Sequence, residues 1–294
     1  MSQRPAVDVV VPFYGSHEQL VALLGRMEKL HLGPRDTLTV VDNRPADAIG
    51  RVDDPRVLLA PEVQSAPYSR NAGAMGGNHE WIVFIDADVD PAPDILEQYF
   101  VTGPPADDVG VIAGAIHDQD PPPSASHPAA ARYMFLRRCM AQTTTKAQLG
   151  PFAKTANAAF RRAAFEAVGG FQVNLVCGED VDLCYRLAQA GWRLEFREEP
   201  VVEHIGRESV LALLRQQAKH GTGTGWLDRE YPGFSPPFRW SSLVVSVARG
   251  VIKSGWARIR GERDRALIEA LDPLTALAFH LGRLRSNYVS EQAG

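Results

Sequence analysis

Short apolar runs alternate with helical patterns along the first half of the chain. The runs have the length and composition of buried strands and lie at residues 7–11, 38–41, 57–59 and 81–85. After the first run, Ser16 and Gln19 form a capping-box pattern that predicts the start of a helix. Strands alternating with helices predict an α/β fold with a mostly parallel sheet, in which ligands bind at the carboxyl ends of the strands.

The second half begins with a proline-rich segment and ends with long helical patterns. Residues 117–128 hold four prolines and two histidines, which favours a loop. Further strands and short helices are expected at 155–160, 162–168, 181–189, 192–196 and 201–203. A helix beginning at Ser209 is expected to stop at Gly221, and two longer helices are predicted at 240–260 and 266–285.

The composition is that of an ordinary globular protein, with 294 residues of which 45% are hydrophobic and 22% are charged. The chain has a formal net charge of −4 and therefore lacks the excess of basic residues that nucleic-acid binders have, so no nucleic-acid partner is expected. Three cysteines without zinc-site spacing favour a reducing cytoplasm over a disulfide framework. No secretory signal is visible, and no apolar run approaches the roughly 20 residues that a membrane span needs.

Three alternating acids follow the buried strand at 81–85. Unpaired carboxylates in that position repel one another and are costly to desolvate, and a hard divalent cation removes that cost. Asp86 and Asp88 are therefore candidate ligands for Mn2+ or Mg2+, which would in turn bind a substrate diphosphate. The alternative is a solvated acidic turn that begins the next helix. Asp90, which precedes Pro91, is interpreted as a turn residue.

A second acidic cluster opens the helix predicted after Gly178. A carboxylate in a partly dry cleft can take the proton of an attacking hydroxyl, and Asp180 is the candidate for this base, with Glu179 beside it. Asp182 is expected to pair or to cap the helix. On spacing alone, simple capping of a helix N-terminus by acids is the stronger interpretation of all three.

His204 ends the apolar run at 201–203. One interpretation is a half-buried histidine with a satisfied ring. The other is a third metal ligand, since an imidazole at a strand end could meet the cation at Asp88. The residues alone leave both open.

Taken in order, these pieces resemble the family 2 glycosyltransferases, which have the GT-A fold. The similarity covers roughly residues 7–221 and lies in the motifs Val9-Val-Val-Pro12-Phe-Tyr14, Val40-Val-Asp42-Asn43, Ser69-Arg70-Asn71-Ala-Gly73, Phe84-Ile-Asp86-Ala-Asp88, Gly169-Gly-Phe171 and Gly178-Glu179-Asp180-Val-Asp182-Leu-Cys-Tyr-Arg186. His204 matches a histidine that these enzymes often have. Each motif alone is weak, whereas the ordered set is specific. The "QxxRW" signature of processive members is absent, which favours a single transfer per encounter.

The resemblance implies an inverting, single-displacement transfer from a nucleoside diphosphate sugar to an acceptor hydroxyl. It implies nucleoside contacts by Pro12, Tyr14, Asp42 and Arg70, metal binding by Asp88 with Asp86, base catalysis by Asp180 with Glu179, and a metal or diphosphate contact by His204. The segment 44–46 departs from the Gly-Ser-Thr that usually follows the second strand. A UDP-, dTDP- or GDP-sugar is therefore left open as the donor.

The Gly, Pro and aromatic residues of 222–239 and the extent of the resemblance together predict a division of the chain. A GT-A glycosyltransferase domain would cover 1–221, with a nucleotide-sugar half over 1–113 and an acceptor half over 114–221. A C-terminal helical extension would cover 222–294 and could form a homodimer contact.

The acceptor is left open among a small molecule, a glycan end and a membrane lipid-linked carrier. The 240–260 helix motivates the lipid alternative, because Trp240, Val244, Val247 and Val251 share one face and cationic residues share another. That alternative implies peripheral contact with the inner face of the membrane. The other interpretation is a helix that packs its apolar face on the core. A non-catalytic sugar-nucleotide-binding protein and a nucleotidyltransferase are the remaining alternatives.

Overall fold

Two compact units make up the protein. The computed structural model describes residues 4–48, 53–121, 129–144, 150–238 and 240–289. The sheet unit contains the described residues of Met1–His117, Gln142–Glu203 and Tyr288–Gly294, and the helical unit contains those of Asp118–Ala141 and His204–Asn287. Residue 221, where the sequence suggested a domain boundary, lies within the helical unit.

The described residues of the sheet unit form an eight-stranded sheet. In chain order its strands are β1 (Val7–Phe13), β2 (Thr37–Asp42), β3 (Val57–Leu59), β4 (Trp81–Ile85), β5 (Val89–Pro91), β6 (Val109–Asp118), β7 (Asn157–Arg161) and β8 (Arg193–His204). Their order across the sheet is β3-β2-β1-β4-β7-β6-β8-β5. β1 pairs in parallel with β2 and β4, and β2 with β3, as predicted. β7 is antiparallel to β4 and β6, so the whole sheet is mixed.

Helices accompany the sheet and build the helical unit. In chain order they are α1 (His17–Met27), α2 (Ala66–Met75), α3 (Ile95–Gln98), α4 (Ala129–Arg137), α5 (Arg162–Ala167), α6 (Glu179–Gln189), α7 (Val210–Glu230), α8 (Trp240–Ile259) and α9 (Arg263–Gly282). The predicted capping box of Ser16 and Gln19 begins α1. Ser65 caps α2, whose start therefore lies three residues before the Ser69 of the sequence motif.

Helix α2 lies unusually close to the sheet. Gly73, in its last turns, faces β1 and β2, where a Cβ atom would lie 2.5 Å from Val10 Cγ1 and 2.9 Å from Val41 Cγ2. Since real Cβ atoms essentially never make such contacts, only glycine permits this approach. The depth of α2 in the fold is set at this residue.

Two segments between residues 117 and 204 differ from the sequence prediction. The strands expected at 192–196 and 201–203 form one continuous strand, β8, because Pro200 interrupts the apolar pattern without ending the strand. The Pro200 carbonyl still accepts a hydrogen bond from Asn157 Nδ2 at 2.8 Å. The loop expected at 117–128 begins inside β6, and its residues 122–128 lie outside the described residues.

The predicted end of α7 at Gly221 is wrong, since the helix continues to Glu230. A Cβ atom at Gly221 would lie 2.0 Å from the Phe279 carbonyl oxygen of α9, and one at Gly225 would lie 2.5 Å from that of Arg283. These glycines allow two helix backbones to approach each other and do not end a helix. The pattern of small residues was the signal of a helix crossing.

Helix α8 packs on α9 through a seam of small side chains. A Cβ atom at Gly250 would lie 2.6 Å from the Glu269 carbonyl oxygen, so the two backbones are in close contact. Ser254 Oγ donates to the Ala266 carbonyl at 2.9 Å across the same seam. Among the side chains of α8 that the structure describes, those of Leu243, Ser254 and Ala257 are buried, as is Gly250.

The apolar face that the sequence assigned to α8 is not its packing face. Trp240 and Val251, two residues of that face, are exposed. The side chain of Val244 lies outside what the structure describes. Among the described residues, no helix has the length and apolar character needed to cross a bilayer.

Candidate active site

The carboxyl ends of β1, β2 and β4 lie at one edge of the sheet. Phe13 at the end of β1 is in register with Asp42 at the end of β2, and the Asn43 amide donates to the Phe13 carbonyl at 2.9 Å. Tyr14 follows β1 and is exposed. The structure therefore brings the ends of the first, second and fourth motifs together, as expected for a parallel sheet.

Arg44 encloses the carboxylate of Asp42. Its Nε and Nη2 atoms donate to Asp42 Oδ1 and Oδ2 at 2.9 and 2.6 Å, and its backbone amide donates to Oδ1 at 3.2 Å. Both side chains are buried, and the guanidinium lies 5.8 Å from the centre of the Phe13 ring. The sequence showed the unusual residue after β2 but not this ion pair. A nucleoside that approaches Asp42 meets a carboxylate already held by three donors.

Replacing Arg44 with alanine is expected to lower the free energy of unfolding by about 2 kcal/mol, because a buried carboxylate loses its charged hydrogen bonds. Urea denaturation of Arg44→Ala and of the double variant Asp42→Asn with Arg44→Ala measures this. The double variant should recover much of the loss.

The exposed ion pair of Arg193 and Asp108 supplies the matched control for Arg44. Both of its side chains are 54% exposed. Arg193→Ala should therefore leave the urea midpoint almost unchanged, because solvent screens an exposed ion pair. Equal losses for the buried and the exposed pair would contradict the role given to Arg44.

The turn after β4 carries two half-buried carboxylates, those of Asp86 and Asp88. The carbonyl of Ala87, between them, accepts a hydrogen bond from Arg26 Nη2 at 2.6 Å. The turn is thereby anchored to α1. Asp90, which the sequence interpreted as a turn residue, lies instead in the short strand β5.

Arg70 joins the two acidic motifs. From the second turn of α2, its Nη2 donates to Asp86 Oδ1 and its Nη1 donates to Glu179 Oε1, both at 2.7 Å. The guanidinium is buried and lies 5.7 Å from the centre of the Phe171 ring. Burial acts to lower the pKa of Arg70, but the two carboxylates outweigh it and raise that pKa. The sequence separates these acids by more than 90 positions, and one arginine holds them together.

Asp180 follows Glu179 in the first turn of α6 and has a perturbed acidity. Burial first, and then the Glu179 carboxylate, raise the pKa of Asp180 from 3.8 to about 7. Arg70, the Val181 amide and Lys154 act in the opposite direction. A carboxyl with this pKa exchanges its proton near neutral pH, as a general base must. Lys154 carried no motif in the sequence, and only the fold reveals its proximity.

Asp182 has a structural role. It is buried, and its Oδ2 atom accepts from Arg186 Nε and Nη2 at 2.9 and 2.7 Å. Arg186 also donates to the carbonyls of Val168 and Gly170, which fastens α6 to the turn after α5. The expectation that Asp182 pairs is met by this geometry.

His204 lies at the end of β8 and is the first residue of its segment in the helical unit. Its ring is fully buried, with Nδ1 3.2 Å from Asp118 Oδ1. The amides of Met140 and Ala141 donate to Asp118 at 3.0 and 3.1 Å. A carboxylate that orients one ring nitrogen fixes the tautomer, as the carboxylates behind metal-bound histidines do.

The donor set after β4 fits a magnesium or manganese ion that is shared with a substrate. No group of three or more His, Cys, Asp or Glu residues within the described part of the chain could hold a metal on its own. Mg2+ commonly uses one or two carboxylates and completes its coordination with phosphate oxygens and water. Asp86 and Asp88 offer that number of carboxylates at the edge where the strands end.

Comparison with known proteins gives consistent matches. The model of the family described as "Glycosyltransferase like family 2" matches residues 5–223. The pre-mycofactocin glycosyltransferase of Mycobacterium tuberculosis is 26% identical over 82% of this chain, which spans half of that relative's length. The glycosyltransferase AglE of Haloferax volcanii is 27% identical over 76% of this chain and 74% of its own.

The fold is also that of a solved structure. The mannosyltransferase PcManGT of Pyrobaculum calidifontis, solved in complex with GDP-Man and Mn2+, superposes with a TM-score of 0.62. The match covers 96% of this chain and 88% of that one at 18% identity, a level that speaks for the fold alone. The predicted GT-A type α/β fold with a C-terminal helical region is confirmed.

Proposed function

The chain belongs to the glycosyltransferase-like family 2, as its motifs predicted, and on that premise we propose that it is an inverting glycosyltransferase. The reaction would move a sugar from a nucleoside diphosphate sugar to an acceptor hydroxyl in a single displacement. The observation that carries the proposal is the Arg70 bridge, which sets Asp180 and its raised pKa beside the carboxylate turn after β4. A base and a diphosphate site close together are what this displacement needs.

In the proposed mechanism, Asp180 takes the proton of the acceptor hydroxyl as its oxygen attacks the anomeric carbon. The bond from that carbon to the diphosphate breaks, and the nucleoside diphosphate leaves on the opposite face, so the configuration inverts. Glu179 raises the basicity of Asp180 by repulsion and is itself fixed by Arg70. Arg70 keeps its position because its buried guanidinium donates to both carboxylates at once.

Pro12, Tyr14, Asp42 and Arg70 are proposed to line the donor nucleoside site. The exposed ring of Tyr14 offers a stacking surface, whereas Asp42 would act through the arginine that holds it. The nucleobase is left among uracil, thymine and guanine. A thermal-shift screen with UDP, dTDP and GDP in Mn2+ separates them, since a ligand that binds only the folded state raises its stability.

Asp88 and Asp86 are proposed to hold Mn2+ or Mg2+. When bound, such an ion would neutralise the charge that develops on the leaving diphosphate. Asp86 also accepts from Arg70, so Asp88 would be the principal carboxylate ligand.

Asp88→Ala is expected to weaken nucleoside diphosphate binding in Mn2+ by at least about tenfold, because the metal loses its principal protein ligand. Calorimetric titration with and without EDTA measures the effect. Asp90→Ala is the matched control, since Asp90 lies two residues further on in β5, and its affinity should stay within about twofold. Metal-dependent binding that survives Asp88→Ala would rule out this ligand assignment.

The acceptor is proposed to be a small molecule, a glycan end or a lipid-linked carrier, chosen by residues 114–154 and 221–240. The relatives' names describe glycosyltransferases, which favours an enzyme over a non-catalytic sugar-nucleotide binder. Metal-dependent release of nucleotide from a donor panel distinguishes the two.

We propose a cytoplasmic location because of the cysteine pattern, and we propose that the protein could form a homodimer.

A further inference from the structure

Helix α8 has two stripes of residues with the same spacing on opposite sides. Its buried seam uses positions 243, 250, 254 and 257. A second stripe uses positions 245, 252, 256 and 259, each two residues further along. With 3.6 residues per turn, two residues correspond to about 200° around the helix axis. The second stripe therefore points directly away from α9.

This outer stripe is apolar and exposed. It consists of Val245, Ile252, Trp256 and Ile259, of which the last three are 62%, 59% and 80% exposed. A surface helix normally turns its polar residues away from its packing partner. Here Leu243 and three small residues form the packing seam, and four bulky apolar residues face outward. Contiguous apolar surface of this kind marks an interaction site.

A cationic stripe borders the apolar one. Arg249 and Arg260 lie four residues after Val245 and Trp256, and Lys253 continues their row. The Arg260 guanidinium lies 5.9 Å from the centre of the Trp256 ring. Lys253 has a weak, exposed ion pair with Glu269 at 3.6 Å. The sequence from 240 to 260 contains four basic residues and no acidic one.

We propose that the outer face of α8 docks on an anionic phospholipid surface. Apolar side chains would enter the boundary between headgroups and acyl chains while the basic stripe meets lipid phosphates. Tryptophan favours that boundary, and Trp256 lies at the centre of the stripe. A second copy fits less well, because a twofold contact would bring the basic stripes of both copies together, and residues 240–260 supply no acid to pair with them. This surface is distinct from the one on which the transferase proposal depends.

The test is flotation of the full-length protein with vesicles of phosphatidylcholine alone or with about one third phosphatidylglycerol. We expect at least about tenfold stronger binding to the anionic vesicles, weakened by 0.5 M NaCl as screening shortens the reach of charge. Equal recovery with both kinds of vesicle, or no binding to either, would overturn the proposal.

Two variants separate the apolar from the cationic contribution. Ile252→Ser with Trp256→Ser should lower binding at least about tenfold, and Arg249→Gln with Arg260→Gln should remove the preference for anionic lipid. Val21→Ser with Met75→Ser removes exposed apolar side chains from α1 and α2 and should bind as the unmodified protein does.

The same variants also test whether a second copy of the chain covers this face of α8. If sedimentation shows a dimer that Ile252→Ser with Trp256→Ser dissociates, the face belongs to a protein contact and the lipid proposal fails. A control pair that loses as much vesicle binding as the α8 pair would have the same consequence. Because the readout is vesicle binding, neither result depends on sugar transfer.

Discussion

Asp180→Asn is expected to lower the rate of sugar transfer by about a thousandfold while donor affinity changes less than about twofold. The amide keeps the shape of the side chain and cannot accept the proton of the acceptor hydroxyl. Single-turnover transfer and calorimetric titration with the nucleoside diphosphate measure the two quantities separately. Normal transfer by this variant would remove Asp180 from the mechanism, and a lost donor site would point to a structural role.

The pH dependence of transfer gives an independent check on Asp180. Since the pKa of Asp180 is about 7, kcat/KM should fall about tenfold per pH unit below that value and level off above it.

The same pKa makes the stability of the protein depend on pH. The folded protein keeps the proton of Asp180 at pH values where the unfolded chain has lost it. Stability from this group is therefore complete below pH 3.8 and declines as pH rises through 7. Asp180→Asn should accordingly be more stable than the unmodified protein at pH 8.

Arg70→Met is expected to lower the free energy of unfolding by about 3–5 kcal/mol, because it leaves two carboxylates near a buried site without their cation. Methionine fills a similar volume, so the loss reports charge and hydrogen bonds rather than a cavity. Urea denaturation at pH 8 measures it, with Arg265→Met as control. Arg265 is exposed and pairs with Glu262 over one helical turn, which is worth under about 1 kcal/mol.

Removing the acids as well tests the cause of that loss. The triple variant Arg70→Met, Asp86→Asn and Glu179→Gln should recover most of the stability, since no buried charge is then uncompensated. Sugar transfer should be lost in both Arg70→Met and the triple variant, because neither holds Glu179 beside Asp180. A loss of less than about 1 kcal/mol for Arg70→Met alone would mean that the bridge does not hold the two motifs together.

Much of the site's location could be predicted from strand ends. Parallel strands bring their carboxyl ends to one edge, so Asp42, Asp86 and Asp88 could be placed there from the sequence alone. The arginines that pair with these acids could not be predicted in the same way. The contact of Arg44 with Asp42 depends on which way a turn directs a side chain, and the Arg70 bridge depends on a tertiary arrangement that brings α2 within reach of both Asp86 and Glu179. Neither has a periodicity in the sequence.

The helical unit shows where pattern reasoning fails for a different reason. Gly221 is a residue type that commonly ends helices, yet α7 continues through it. Val251 is a residue type that commonly packs in the core, yet it is exposed. Glycine carries two meanings, an end to a helix or a close approach of two backbones, and only the neighbouring helix decides between them. The same neighbour decides which face of α8 is covered.

Gly73 has a consequence for how this protein can change over generations. It lies three residues after Arg70 on the same side of α2, against Val10 and Val41. Even a methyl group there would push the helix outward, and the reach of the arginine toward both acids would be lost together. Glycine has no functional group, yet position 73 should tolerate as little change as the positions of the acids. Selection should remove substitutions of Gly73 even where the protein still folds.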